Sequence, residues 1–313
     1  MRYRVLGKTG LKVSVVGVGT WQFGGEWGKD FTEAEAEAML DKAAEVGINL
    51  IDTAECYGDH LSEELIGKTL PGDRGEWIIA TKFGHKFHER FERDSIYAPD
   101  EVRKQLEASL RALRTDYVDT YQFHSGNDEQ FDTEGLWEML QEEKAKGKIR
   151  HLGTSIGSNS NVDQVDKSQD VDSEVIQVVY NRLDRKPEGG VFESCMRQNL
   201  GVLARVPLAS GYLSGKYNTQ STFPDTDVRG RWHTKARRER ALQQVEEIQR
   251  TEVPENVSMA QWALAWCLKH PAVTCVIPGC KNVEQVESNA EASELDLVPT
   301  DHPQAVASEA VDR

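Results

Sequence analysis

The chain is short of the features that mark several classes of protein. No run of about 18 apolar residues occurs in its 313 residues, so no membrane-spanning helix is expected. The opening MRYRVLGKTGLKVSVVG has no apolar segment of secretory length followed by a small-residue cleavage site, and a cytoplasmic location is expected. Bases are outnumbered, 37 against 52 acids, and the net charge of −15 argues against non-specific binding to nucleic acid or to an anionic membrane. Ordinary solubility accounts for such acidity, and so does a salt-adapted, halophilic source. Cysteine is scarce. The five present form no C-x-x-C pair, so reduced, buried thiols are expected rather than a disulfide framework. The eight histidines do not fall beside the cysteines at ligand spacing, so no metal is expected. Nor does a G-x-G-x-x-G follow the first apolar strand, which removes the usual dinucleotide fingerprint of a doubly wound sheet.

What the chain does have is alternation. Short apolar runs read as strands near 15–19, 48–52, 77–81, 117–123, 149–153, 175–180, 201–207 and 274–277. Between them, helical patterns fall near 32–46, 62–70, 99–113, 133–146, 162–168, 190–198, 258–269 and 283–292. Thr32 followed by Glu35 is a capping-box signal, and Gly47, Gly147 and Gly201 fit helix stops ahead of strands. Eight strands with eight crossover helices match an α/β fold of the (β/α)8, or TIM-barrel, kind. The apolar pieces on either side of Lys8-Thr9-Gly10 predict an N-terminal β-hairpin capping one barrel end. Residues 218–257 form a long loop and helix insertion after the seventh strand, with a helix expected over 234–250. One barrel unit is expected over 1–298, with 299–313 as a loose tail.

In a parallel barrel the C-terminal ends of all strands face one mouth. The second strand ends in Asp52, with Tyr57 five residues on, against Gly58. The third ends in Thr81-Lys82 and the fourth in Gln122-Phe123-His124. Each of these residues alone is more often structural than functional. Together they converge, and they make a chemical set. A phenol has a pKa of about 10 in water and becomes a useful acid only when its neighbours tune it. Lys82 as an ammonium is expected to lower the Tyr57 pKa, Asp52 to hold Lys82 charged, and His124 to hydrogen-bond a substrate oxygen. Such a site donates a proton to a carbonyl oxygen becoming an alkoxide, and it needs a cofactor as its source of electrons.

The chain resembles the aldo-keto reductase family over almost its whole length. The matching pieces are G-V-G-T-W at 17–21, D-T-A-x-x-Y-G at 52–58, T-K at 81–82, Q-F-H at 122–124 and G-T-S at 153–155. Gln177, P-L-A-S-G-x-L-S-G-K-Y at 207–217 and I-P-G-x-K at 277–281 complete the series. The resemblance implies a (β/α)8 barrel, a nicotinamide cofactor and reduction of aldehydes or ketones, with Asp52, Tyr57, Lys82 and His124 as the catalytic tetrad. It further implies Thr20 near the nicotinamide ribose, Ser155 and Gln177 at the carboxamide, and Leu208, Ser210 and Lys216 along the pyrophosphate. Gly279, Lys281, Gln285 and Asn289 match the adenosine clamp, where the charge of Lys281 favours NADP(H) over NAD. Trp21 is expected to line the substrate pocket, with Trp27, Phe83, His85 and Trp232 as weaker candidates. The chain departs from the family pattern at Ile156, Arg205 and Ser288, where asparagine, a stacking aromatic and glutamate are common. The family also contains the beta subunits of potassium channels, so a nicotinamide-binding regulatory subunit is the alternative. Those subunits carry asparagine where this chain has His124.

Overall fold

The computed structural model describes residues 1–306. Eight parallel strands form a (β/α)8 barrel: β1 Val18–Gly19, β2 Leu50–Asp52, β3 Ile78–Phe83, β4 Val118–His124, β5 Ile149–Ser155, β6 Ser173–Val179, β7 Gly201–Arg205 and β8 Cys275–Val276. Each pairs with its neighbours in sequence, and the parallel bridges Val16↔Val276 and Gly19↔Gly279 bring β8 back to β1. Crossover helices follow in turn: α1 Glu33–Glu45, α2 Leu61–Thr69, α3 Pro99–Leu113, α4 Leu136–Ala145, α5 Val162–Asp166, α6 Val191–Arg197, α7 Met259–Leu268 and α8 Val283–Glu291. The strands read as continuous apolar runs because both faces are covered, and every residue of β3 is buried. Among the described residues no helix is long and apolar enough to cross a membrane.

Local chemistry sets the boundaries. Thr32 and Glu35 cap α1 reciprocally, a device worth about 1 kcal/mol. Gly47 ends that helix at a φ of 80°, a conformation that side-chain-bearing residues avoid. Gly201 has a different role from the expected helix stop. Asn199 takes the left-handed position at φ 50°, while Gly201 opens β7 so close to the chain at Leu6 that an added Cβ would lie 2.6 Å from that side chain. Strand β7 stops at Arg205 rather than 207, because Val206 turns to a φ of 54°, a true outlier for a β-branched residue.

Tyr3–Val5 and Lys12–Ser14 pair antiparallel as the N-terminal hairpin. Its Leu6 and Val13 join Leu50, Ile78, Val175 and Leu203 in a buried cluster that fills the barrel's lower interior. The expected loose tail starts differently. Residues 299–306 run along this hairpin, with Val5 N donating to Gln304 O at 2.8 Å and Val306 N to Tyr3 O at 3.1 Å, and His302 is buried. Positions 307–313 of that expectation lie outside the described residues. After β7 come a 3-10 turn at Ala209–Ser214 and helices Val228–Trp232 and Lys235–Thr251, packed together through Tyr212, Leu242, Val245, Ile248 and Trp262. A second hairpin, His85–Glu89 with Glu92–Ser95, leaves the end of β3 and was not visible in the sequence.

Candidate active site

Four side chains meet at the C-terminal ends of β2, β3 and β4. Lys82, the next-to-last residue of β3, is fully buried, and its ammonium donates to Asp52 Oδ2 at 2.9 Å, to Thr53 O at 2.6 Å and to the Tyr57 hydroxyl at 3.3 Å. Asp52 ends β2, and its second oxygen accepts from the Gln177 amide at 2.6 Å. His124 ends β4, its ring 6.3 Å from that of Tyr57 at nearly a right angle. Trp21 stacks on the other side of the phenol, with ring centroids 5.9 Å apart. The strand ends thus bring Asp52, Tyr57, Lys82 and His124 together as expected of them.

The electrostatics differ from the expectation in one respect. Burial pushes the Tyr57 phenol up to about 12, and the pull of Lys82 in the other direction only partly offsets it. The phenol is therefore protonated at neutral pH, not tuned downwards. Burial works against the charge on Lys82, but Asp52 and Tyr57 outweigh it and hold the ammonium above its ordinary value. Burial, reinforced by His85 and Lys82, keeps His124 well below the usual imidazole range, so its ring is neutral. The site is a charged Asp52–Lys82 pair behind a neutral phenol and a neutral imidazole.

These groups open into a cavity of about 600 Å³ that runs from β2 across the mouth to α8. Trp21, Gln177, Leu208, Ser210, Lys216, Gly279, Lys281, Gln285 and Asn289 line it, as do Trp27, His85 and Trp232. Three expected positions do not. The Thr20 hydroxyl donates to Asp52 O at 2.9 Å and accepts from Ser62 at 2.8 Å, inside the wall. Ser155 is fully buried, with its hydroxyl 3.4 Å from Gln177 Oε1. Phe83 lies in the core against Tyr121.

The residues fit a nicotinamide dinucleotide. Gln22 Oε1, Trp27 Nε1 and Arg205 Nε are buried, line the cavity or its rim, and have no hydrogen-bond partner. Buried polar groups left so are costly, and a polar ligand in the cavity would satisfy them. Asn282 caps α8 through Gln285 N, placing a helix N-terminus beside Lys281. The Lys281 ammonium itself donates to Trp27 O at 2.6 Å and lies 3.9 Å from Asp227. Burial, then Arg229, lowers its pKa. Leu208 to Ser210 form a tight passage in which Ala209 and Ser210 take φ values of 49° and 60°. Such strain gathers at ligand-holding segments.

Several pocket residues were not foreseen. Arg93, on the second hairpin, pairs with the fully buried Glu26, which also accepts from the Trp21 indole at 2.5 Å. Arg229, from the insertion, is clamped by both oxygens of Asp227 at 2.9 and 2.6 Å. The Glu26–Arg93 pair joins residues 67 apart and has no signature along the chain, whereas Asp227 and Arg229 are two residues apart, with Asp227 also capping the helix that carries Arg229.

Comparison with known proteins follows the same lines. The model of the Aldo/keto reductase family matches residues 15–309. The aldo-keto reductase yakc [NADP(+)] of Schizosaccharomyces pombe is 30% identical over 91% of this chain and 85% of its own length. The NADH-specific methylglyoxal reductase of Escherichia coli is 28% identical over 95% of this chain and 94% of its own. Among solved structures, the holo form of aldo-keto reductase AKR11C1 from Bacillus halodurans superposes with a TM-score of 0.79 at 28% identity, covering 97% of this chain and 94% of that one.

Proposed function

The chain belongs to the aldo/keto reductase family of oxidoreductases, and from that premise we propose that it reduces small aldehydes or ketones to alcohols with NADPH, Tyr57 giving the proton. The observation that carries this reading is the Lys82 ammonium, which touches both Asp52 and the Tyr57 hydroxyl inside the cavity wall. The bound nicotinamide would supply a hydride to the carbonyl carbon. Tyr57, protonated at neutral pH, donates to the carbonyl oxygen as negative charge develops there. Lys82 stabilises the phenolate left behind, and Asp52 keeps Lys82 charged and in place. His124, held neutral, offers a hydrogen bond to the same oxygen without adding a second cation. Trp21, stacked on Tyr57, forms the apolar wall on the substrate side.

For the cofactor, Gln177 takes the carboxamide end, with Ser155 behind it and Thr20 supporting the wall near the ribose. Leu208, Ser210 and Lys216 take the pyrophosphate. Gly279, Lys281, Gln285 and Asn289 take the adenosine, and the charge of Lys281 meets the 2′-phosphate. Because that ammonium is already shared with Trp27 O and Asp227, the preference for NADPH over NADH is moderate. Residues 1–298 act as one barrel unit holding both cofactor and substrate. The alternative of a channel-type regulatory subunit has less support, since His124 is neutral and stands beside the phenol. The test is direct. NADPH fluorescence should change on mixing with pure protein and then decay on addition of 4-nitrobenzaldehyde. Cofactor binding without decay across a panel of aldehydes and ketones would favour the regulatory reading.

A further inference from the structure

Beside the phenol lies a second group of side chains that the proposed reaction uses only in part. Glu55 and Cys56 precede Tyr57 in the loop after β2, His85 opens the hairpin after β3, and His124 ends β4. One carboxylate oxygen, one sulfur and one nitrogen from each ring all lie within 4.8 Å of one another. Cys56 Sγ is 3.8 Å from His124 Nδ1, and Glu55 Oε1 is 3.8 Å from His85 Nδ1. The two imidazole rings stand 4.6 Å apart at nearly a right angle.

We infer that Glu55, Cys56, His85 and His124 form a binding site for a zinc-class divalent cation at the edge of the active-site cavity. Two kinds of observation carry this. The first is geometric. A tetrahedral ion with bonds of about 2.3 Å to sulfur and about 2.0 Å to nitrogen separates the two ligand atoms by about 3.5 Å. The 3.8 Å between Cys56 Sγ and His124 Nδ1 is close to that, and the widest pair needs to contract by about 1 Å, within the reach of side-chain rotation at two strand termini and the loop after β2. The second is the state of the ligand atoms. Glu55 is only 3% exposed, yet its Oε2 has no hydrogen-bond partner, and His85 Nδ1 is likewise buried and unpartnered. The other oxygen of Glu55 is fixed by His85 N at 2.9 Å, so the carboxyl is held in place with its free oxygen left over. A buried carboxyl oxygen without a partner is costly, and a cation is the ligand that removes the cost for oxygen and nitrogen lone pairs alike.

The donor set chooses the cation. Two imidazoles, a thiolate and a carboxylate suit zinc or cobalt and do not suit magnesium or calcium, which take oxygen ligands. A thiolate and a carboxylate together balance a charge of two. Two cations oppose the ion: Arg93, which donates to Cys56 Sγ at 3.3 Å and whose charge is taken up by Glu26, and the buried Lys82 ammonium, whose charge is taken up by Asp52. Spacing along the chain argued against zinc. It compares only near neighbours, whereas these four ligands come from three successive strand ends.

Binding of the ion stands apart from the reductase reading, but its consequence rests on that reading. His124 is shared: an ion on its Nδ1 leaves the other ring nitrogen as the N–H that can meet a carbonyl oxygen. The experiment is a titration of the chelator-treated, reduced, full-length protein with cobalt(II). One equivalent should bind with the intense visible bands of tetrahedral cobalt and a thiolate-to-metal charge-transfer band, and one equivalent of zinc should bleach both. Cys56→Ser should abolish the charge-transfer band. Glu55→Gln and His85→Gln should each weaken binding at least tenfold, with circular-dichroism melts reporting that each variant is folded. A pale six-coordinate spectrum, or a spectrum and affinity unchanged in folded Cys56→Ser or His85→Gln protein, would overturn the site.

Discussion

The amide of Gln177 donates to Asp52 Oδ1 at 2.6 Å, tying the end of β6 to the end of β2 across the barrel mouth. With Lys82 on the other oxygen, Asp52 is held at both ends. A hydrogen bond to a charged group is worth about 1.5–3 kcal/mol, so Gln177→Leu should lower kcat by about tenfold or more. It should also raise KM for the cofactor, since the same amide faces the cavity. Steady-state kinetics showing both constants unchanged would mean that Lys82 alone positions the acid.

Tyr57→Phe removes the proton donor and leaves the cavity shape intact. Turnover should fall by about 10²–10⁴-fold while NADPH fluorescence titrations remain near normal. Near-normal kcat at neutral pH would withdraw the assignment. Lys82→Met should be at least as damaging to turnover. It also strands Asp52 as a buried, unpaired charge, at a cost of about 3–5 kcal/mol measurable in a denaturant melt.

Lys281 faces the end of the cavity beside α8. Lys281→Ala should raise KM for NADPH by about tenfold, the loss of one charged contact, with NADH little changed. Equal losses with both cofactors would contradict a role at the 2′-phosphate.

Acid should unfold the protein in part through two histidines. Burial lowers His233 and His302 to about 4, from 6.5, with nearby arginines adding to the effect. Folding therefore favours their neutral forms. Their contribution is whole above about pH 6.5 and is lost as pH falls toward about 4. The melting temperature should decline across that window, and His302→Gln should flatten part of the decline. A curve flat down to about pH 4 would show that both rings protonate without cost.

The excess of acids, 52 against 37 bases, should repel itself most strongly at low ionic strength. Molar KCl shortens the range of that repulsion to about 3 Å. For a salt-adapted chain the cofactor-free melting temperature should climb with KCl. A flat or falling curve would leave the acidity as ordinary solubility.

The barrel and the four residues Asp52, Tyr57, Lys82 and His124 were readable because each lies at or just beyond the end of an apolar strand, and one topology sends all strand ends to one mouth. Direction and depth were not readable. Thr20 and Ser155 stand at the expected strand ends, yet their hydroxyls turn into the wall toward Asp52 and Gln177. The sequence shows Lys82 near Tyr57 but not how deeply the phenol is buried, so the direction of its shift came out reversed. The hairpin carrying His85 and Arg93 has the strand sequences HKFHE and ERDS, too polar to show an alternating apolar pattern. The partnership of Glu26 with Arg93 was therefore hidden as well.

The meeting of β8 and β1 gives the barrel the mechanics of a hoop with a clasp. Val276 N to Val15 O, Gly17 N to Val276 O and Gly19 N to Pro278 O, at 2.9, 2.8 and 3.0 Å, are the backbone bonds holding it shut, against the pairing of the seven-residue strands β4 and β5. The clasp sits directly under Gly19 and Gly279 at the cavity rim. Stretching the molecule, or watching its amides trade deuterium, should release this seam ahead of the β4–β5 pairing, and a ligand lying across it would act as a pin through the clasp.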